Sequence, residues 1–410
     1  MTVGARADAA RHPPVGADAA HGLPPSPCPP PASPRDAGCI TIPWPISGSR
    51  PSRAAPVRPR AARAPPGTTS MKHPFRSSIT RIALCILCAA TSPAHAAREN
   101  AAAVASPHDR LQATLDRFAR AAEPGTLGIA VFDMHGSAEW HVNGDRSFPM
   151  MSVFKAPLAA AVLDRVERGQ LALNQRVTIT RDQLRPGESD IRDTFQGDRM
   201  SFSVDALLHA AVSKSDNTAA DALLKVVGGP GVVTAFLRAH GIDGMRVDMG
   251  ESQVSELFRN LGAASAPPAG ETAQQRKQRL QGGLQAYLSD SRNRSTPVAA
   301  ADFLRKLSTG ALLSATSTQY LMTLLREQTN PRRLRTGLPA GVTLADKCGT
   351  SPTVNGVTAA FNDIGVMTWP DGRRMIVAVF LTASPASRAD RDRLFADLAK
   401  AVAQAASSSH

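Results

Sequence analysis

The placement of strand-like runs is what most constrains the fold of this 410-residue chain. Residues 128–133 and 138–142 alternate or run apolar around a His135-Gly136 turn, early in the globular part. Three more such runs, at about 343–349, 361–369 and 374–382, lie near the far end, the last two joined by Pro370-Asp371-Gly372. Between them, residues 170–310 read as mainly helical. Ser203 caps a run through Ala206, Leu207 and Ala210, and the pattern from Asn217 to Val227 stops at Gly228-Gly229-Pro230. Isolated strand pairs cannot bury their faces, so this order predicts one antiparallel five-stranded sheet built from both chain ends and flanked by helices. An all-helical lobe is inserted into it, giving an α/β (α+β) fold with a cleft between the two parts. Helices are expected from Ser106-Pro107 through Leu111, Leu115 and Phe118, from Ser152 to about Gly169, and through Leu394, Leu398 and Val402. The polar stretch 265–296, rich in Gln, Arg and Gly, is expected to be a mobile excursion. The α/β lobe then takes about 105–150 and 340–410, and the helical lobe about 151–339.

The formal charge of +13 points toward nucleic acid only until it is divided along the chain. Residues 1–96 carry eleven basic and three acidic side chains, so residues 97–410 keep 36 and 31, a balance of +5. That remainder shows no basic stripe with interleaved aromatics, which argues against a nucleic-acid partner. Half of the 32 prolines fall in residues 1–70, which read as a disordered or mis-called extension. From Met71 the pattern becomes that of an export signal: Lys72, Arg76 and Arg81, then an apolar run from Ile82 to Ala90, then Ala94-His95-Ala96. Residues 71–96 are therefore expected to be a signal peptide cleaved after Ala96, leaving residues 97–410 as an exported protein. The apolar run is too short for a stable membrane anchor. Of five cysteines, Cys28, Cys39, Cys85 and Cys88 precede that point and only Cys348 follows it, so no internal disulfide is expected.

Three short motifs carry the chemistry. Ser152-Val153-Phe154-Lys155 puts a hydroxyl and an amine at i and i+3, on one face of the expected helix, where the amine can touch the hydroxyl and relieve it of its proton. Pro157 soon after is expected to weaken or bend that helix. Ser215-Asp216-Asn217 offers a second hydroxyl for proton relay and an amide that can orient Lys155; each of the three is also a good helix cap. Lys347-Cys348-Gly349-Thr350 lies in the first late strand. Its Lys can meet a substrate carboxylate, its Gly permits close approach, and the backbone N–H groups of Thr350 and Ser152 can bind an oxyanion.

In this order the motifs resemble the penicillin-recognising serine enzymes, specifically the class A β-lactamases, over residues 105–405. Phe361-Asn362-Asp363-Ile364-Gly365 and the long stretch from Thr350 to Gly365 look most like the extended-spectrum subgroup. The resemblance implies a monomeric enzyme acting on a small β-lactam substrate with no cofactor or metal. It implies Ser152, Lys155, Ser215 and a loop glutamate as catalytic residues, with Asn217, Lys347, Cys348, Gly349 and Thr350 binding substrate. Family spacing, about 36 residues after Ser215, puts the glutamate at Glu251, with Glu256 as the fallback. The family's Arg-Trp before it is Met249-Gly250 here, and the Asn four residues after it is Ser255. Alternatives are a D-alanyl-D-alanine carboxypeptidase or penicillin-binding enzyme that deacylates slowly, and a non-catalytic binder of β-lactams or wall fragments. Cys348 departs from the pattern, because a hydroxyl is usual there and a thiol is a weak donor. Cys348→Thr is expected to raise kcat/KM for a penicillin; an unchanged or lower value would count against the lost-donor argument.

Overall fold

The computed structural model describes residues 106–264, 266–330 and 332–407. The extension 1–70, the 71–96 signal segment with its cleavage point, and the four N-terminal cysteines lie outside the described residues.

Helix α1 (Pro107–Ala121) starts where Ser106 and Asp109 cap each other's backbone N–H groups, with Pro107 at the first position. Strands β1 (Thr126–Asp133), β2 (Glu139–Val142) and the two-residue β3 (Phe148–Pro149) follow. A 3₁₀ turn over Met151–Phe154 leads into α2 (Lys155–Glu167). The inserted lobe continues with β4 (Arg176–Thr180), the single-turn α3 (Asp190–Asp193) and β5 (Arg199–Ser203). Next come α4 (Val204–Ser213), α5 (Asn217–Val227), α6 (Pro230–Ala239), α7 (Glu251–Arg259) and α8 (Ala273–Ser289). The chain then runs through β6 (Arg294–Ser295), α9 (Pro297–Ser308), α10 (Ala315–Arg326), β7 (Thr343–Thr350) and β8 (Thr353–Val354). It ends with β9 (Val357–Thr368), β10 (Arg374–Ser384) and α11 (Arg388–Ser407).

The main sheet runs β2-β1-β10-β9-β7 and is antiparallel at each of these pairings, with β8 attached to β9. Both chain ends therefore meet in it, as the strand distribution predicts, and Leu127 sits opposite Leu381. Alternation sorts its side chains to two cores. Ile129, Val131, Val377, Val379 and Leu381 face Leu115 of α1 and Phe395, Leu398 and Val402 of α11. Ala130, Phe132, Ile376, Ala378 and Phe380 join the larger core of α2, α4, α5 and α9. Central strands covered on both faces explain why β1 and β10 read as nearly unbroken apolar runs. Among the described residues no single helix is long and apolar enough to cross a membrane; the bent pair α5–α6 passes on length and composition only.

Four local expectations change. Ser152 lies in the 3₁₀ turn, and the α-helix begins at Lys155. Pro157 falls in the first turn of α2, where the missing N–H costs least, so the helix runs on to Glu167. The excursion 265–296 contains the 17-residue α8, started by a Thr272–Gln275 capping box. Its Leu280, Leu284 and Tyr287 pack at helical spacing with Val254 and Phe258 of α7, a stripe the polar composition hid. The inserted lobe also carries a two-stranded ribbon, β4–β5, beside its helices.

The approach to α7 is clamped by Asn293. Its side chain is buried, accepts from the N–H groups of Asp248 (2.6 Å) and Met249 (2.8 Å), and donates to the Met249 carbonyl (2.8 Å). Asn293→Ala would strand these three backbone groups and is expected to lower unfolding stability by about 3 kcal/mol. A urea midpoint within error of the parent would show that the clamp is dispensable.

Candidate active site

The 3₁₀ turn that carries Ser152 is pinned from the sheet. Asn362 in β9 donates to the carbonyls of Pro149 (2.7 Å) and Met150 (3.0 Å). β7 passes so close that a Cβ on Gly349 would lie 2.4 Å from the Met150 carbonyl oxygen, so only glycine fits. Met151 adopts a left-handed backbone (φ 47°) immediately before Ser152.

Lys155 is fully buried at the start of α2. Its Nζ lies 2.9 Å from Glu251 Oε1 and donates to Asn217 Oδ1 and to the Ser215 carbonyl, each at 2.6 Å. The Ser152 hydroxyl donates to the same Glu251 Oε1 at 3.4 Å. The expected amine–hydroxyl contact is thus replaced by a carboxylate within reach of both groups, the ammonium being hydrogen-bonded to the Ser215 carbonyl and Asn217 and ion-paired with Glu251. Asp216, between the two polar residues of its motif, caps α5 through the Ala219 N–H. The motif is therefore both a helix cap and a pair of inward-facing groups. Ser215 is left-handed (φ 59°), and its hydroxyl accepts from Lys347 Nζ at 3.0 Å.

Lys347 is also fully buried and donates to the Cys348 carbonyl at 3.0 Å. Burial pulls its ammonium below the usual lysine range; the adjacent Cys348 opposes this and the Lys155 charge adds to it. Cys348 is buried, with its sulfur 3.6 Å from Asn330 Nδ2.

Glu251 opens α7, and its backbone is held from α5. Asp221 accepts from the N–H groups of Glu251 (2.7 Å) and Ser252 (3.1 Å) and is paired with Arg185 (2.6 Å). This gives Gly250 its reason, since a Cβ there would meet Asp221 Oδ1 at 2.4 Å. The fallback, Glu256, is exposed and hydrogen-bonded to Ser252 on its own helix, away from the cluster.

Ser152, Ser215, Asn217, Glu251, Cys348 and Thr350 line one cavity of about 730 Å³, room for a bicyclic ligand. Among the described residues no group of three His, Cys, Asp or Glu side chains is placed to hold a metal ion.

Two residues escape the sequence reading. Arg333, fully buried with φ 70°, bonds the Gly349 carbonyl at 3.2 Å and also holds the Asn362 carbonyl and the Thr350 hydroxyl. It stacks 3.8 Å over the Phe361 ring. In the sequence it is one of three arginines within four residues, which reads as surface. Asp363 is fully buried beside Asp346. Burial and the neighbouring Asp346 charge hold its carboxyl well above the usual range.

A family model described as the β-lactamase enzyme family matches residues 109–406. The extended-spectrum β-lactamase PER-1 of Pseudomonas aeruginosa is 34% identical over 281 residues, covering 68% of this chain and 82% of that protein. The β-lactamase VEB-1 of the same organism is 30% identical over 281 residues, covering 68% and 85%. Among solved structures, a β-lactamase from Chitinophaga pinensis superposes with a TM-score of 0.62 at 31% identity, covering 72% of this chain and 99% of that one. The class A β-lactamase of the last common ancestor of Gram-negative bacteria superposes with a TM-score of 0.59 at 36% identity, covering 72% and 98%.

The lowered position of Lys347 has a sign that can be measured. The ammonium loses its proton as pH rises through a value below the ordinary 10.5, so an anionic ligand should weaken over that range. Lys347→Arg is expected to move the loss to higher pH. A carboxylate ligand whose affinity holds flat to pH 10.5 would contradict this.

Proposed function

From the premise that the chain belongs to the class A serine β-lactamases, we propose a division of roles among its residues. The protein is a hydrolase that opens β-lactam antibiotics through a serine acyl-enzyme, the activity that confers resistance. Ser152 attacks the lactam carbonyl, forming the acyl bond. The oxyanion rests between the backbone N–H groups of Ser152 and Thr350. Ser215, its oxygen held by Lys347, passes a proton to the lactam nitrogen as the ring C–N bond breaks. The proton taken from Ser152 replaces the one Ser215 gives up, which frees Glu251 to take a proton from water as that water attacks the ester and to return it to the departing Ser152 oxygen.

One observation carries this reading: Glu251 Oε1 lies within reach of both the Ser152 hydroxyl, at 3.4 Å, and the Lys155 ammonium, at 2.9 Å. Lys155 donates to the Ser215 carbonyl and to Asn217 and is ion-paired with Glu251, which favours Glu251, directly or through water, as the first proton acceptor from Ser152. A buried carboxylate at that place also weighs against the slow-deacylating carboxypeptidase reading. Asn217 orients Lys155, while Lys347 and the groups around Cys348 and Thr350 receive the substrate carboxylate.

The n-region, short apolar run and Ala94-His95-Ala96 support export, with cleavage after Ala96 and a periplasmic monomer comprising residues 97–410.

Purified protein of residues 97–410 should turn over a chromogenic cephalosporin with no lasting mass adduct. In Glu251→Gln, kcat should fall by about 10³-fold, with an acyl adduct on Ser152 accumulating in the intact mass. A stable adduct on the parent protein would move it to the slow-deacylating class. The absence of both turnover and adduct would make it a binder.

A further inference from the structure

Gln328, Asn330 and Arg333 each contact β7 through their side chains. Gln328 Nε2 donates to Asp346 (2.8 Å), Asn330 Nδ2 to Cys348 Sγ (3.6 Å), and Arg333 to the Gly349 carbonyl (3.2 Å) and the Thr350 hydroxyl. The orientation of the Asn330 amide is fixed from the other side. Its Oδ1 accepts from the Arg332 N–H at 3.1 Å, so the NH₂ group must face the sulfur. That group carries two protons. One is directed at Sγ, and the other is left for the cavity that Asn330 and Cys348 both line.

We propose that Asn330 is a substrate-binding residue: its amide donates to the carboxylate of a bound β-lactam and replaces the hydroxyl that Cys348 lacks. The inference rests on the β-lactamase reading and deepens it. A thiol donates weakly, so a carboxylate above Cys348 would otherwise lose one bond of its seat. The amide proton beside the sulfur restores it from a neighbouring segment. Thr350 complements it: its hydroxyl oxygen accepts from Arg333, which leaves its proton for the same anion. Lys347 supplies charge, two of its three protons being held by Ser215 and the Cys348 carbonyl. The seat is thus one ammonium, one amide and one hydroxyl, where a Thr at position 348 would have placed a second hydroxyl.

The test is a double-mutant cycle in Ser152→Ala protein, which cannot be acylated there, so binding is read without turnover. Equilibrium dissociation constants are measured by calorimetry for benzylpenicillin and its methyl ester, with and without Asn330→Ala and Cys348→Thr. Asn330→Ala should weaken the acid about tenfold with Cys348 present and no more than about twofold with Cys348→Thr. The ester should respond to neither substitution by more than about twofold. Equal loss in both backgrounds, equal loss for acid and ester, or no loss at all would overturn the proposal. Asn330→Asp keeps the acceptor for Arg332 and serves if the alanine variant melts early; it should weaken the acid at least as much, and undiminished affinity would equally overturn the proposal. Failure of the hydrolase reading is read separately, as absent turnover in the parent enzyme with Ser152 intact.

Discussion

One buried ammonium sets the geometry of everything around it. Lys155 has no solvent exposure, and a charge taken out of water costs several kcal/mol unless its protons find acceptors. The acceptors come from the Ser215 carbonyl ahead of α5, the Asn217 side chain on α5 and Glu251 at the start of α7. Moving any of them away leaves part of a buried charge unsatisfied. The mutual placement of α2, α5 and α7 is therefore enforced by solvation as much as by shape. Ser215 extends this to the sheet: its carbonyl serves one lysine and its hydroxyl the other, so two buried cations are tied through a single left-handed residue.

The buried groups behind the cavity lining are consequently richer in basic than in acidic side chains. Lys155, Lys347 and Arg333 stand against Glu251 and Asp346, and Asp346 is itself paired with Arg335 (2.6 Å). Burial and the neighbouring Asp346 push the Asp363 carboxyl well above its usual range, which weakens it as a countercharge. A site with this imbalance attracts an anion before any specific contact forms. It also explains how a strand motif with a thiol in place of a hydroxyl can still serve a carboxylate: charge supplies attraction, and the surrounding donors supply orientation.

What the sequence makes legible is what short-range physics determines. Apolar runs and turn residues locate all five main strands, and the Ser, Lys, Asp and Asn motifs lie where hydroxyl, amine and amide spacing requires. The losses have specific causes. Helix α8 is missed because its buried stripe is only Leu280, Leu284 and Tyr287 within a run of Gln and Arg. Arg333 is missed because its partners are carbonyls brought to it by β7 and β9, far away in sequence. Glu251 is reached through family spacing alone, and the local pattern misleads: Gly250 departs from the family because Asp221 occupies the space a side chain would need. The amine–hydroxyl contact expected within Ser152-Val153-Phe154-Lys155 fails for a related reason, since the best acceptors for Lys155 are all remote.

The pairing of Leu127 with Leu381 fixes when, during synthesis, this protein can exist at all. Strand β1 is flanked by β2 on one side, but its other edge waits for β10, which follows it far along the chain. β7 and β9, which pin the Ser152 turn, are equally late. A nascent chain thus carries its nucleophile for most of its synthesis without the walls that would make it reactive. Closing so long a loop is slow and leaves a strand edge exposed meanwhile. The architecture that places a reactive serine between early and late strands also withholds its supporting walls until those late strands are made.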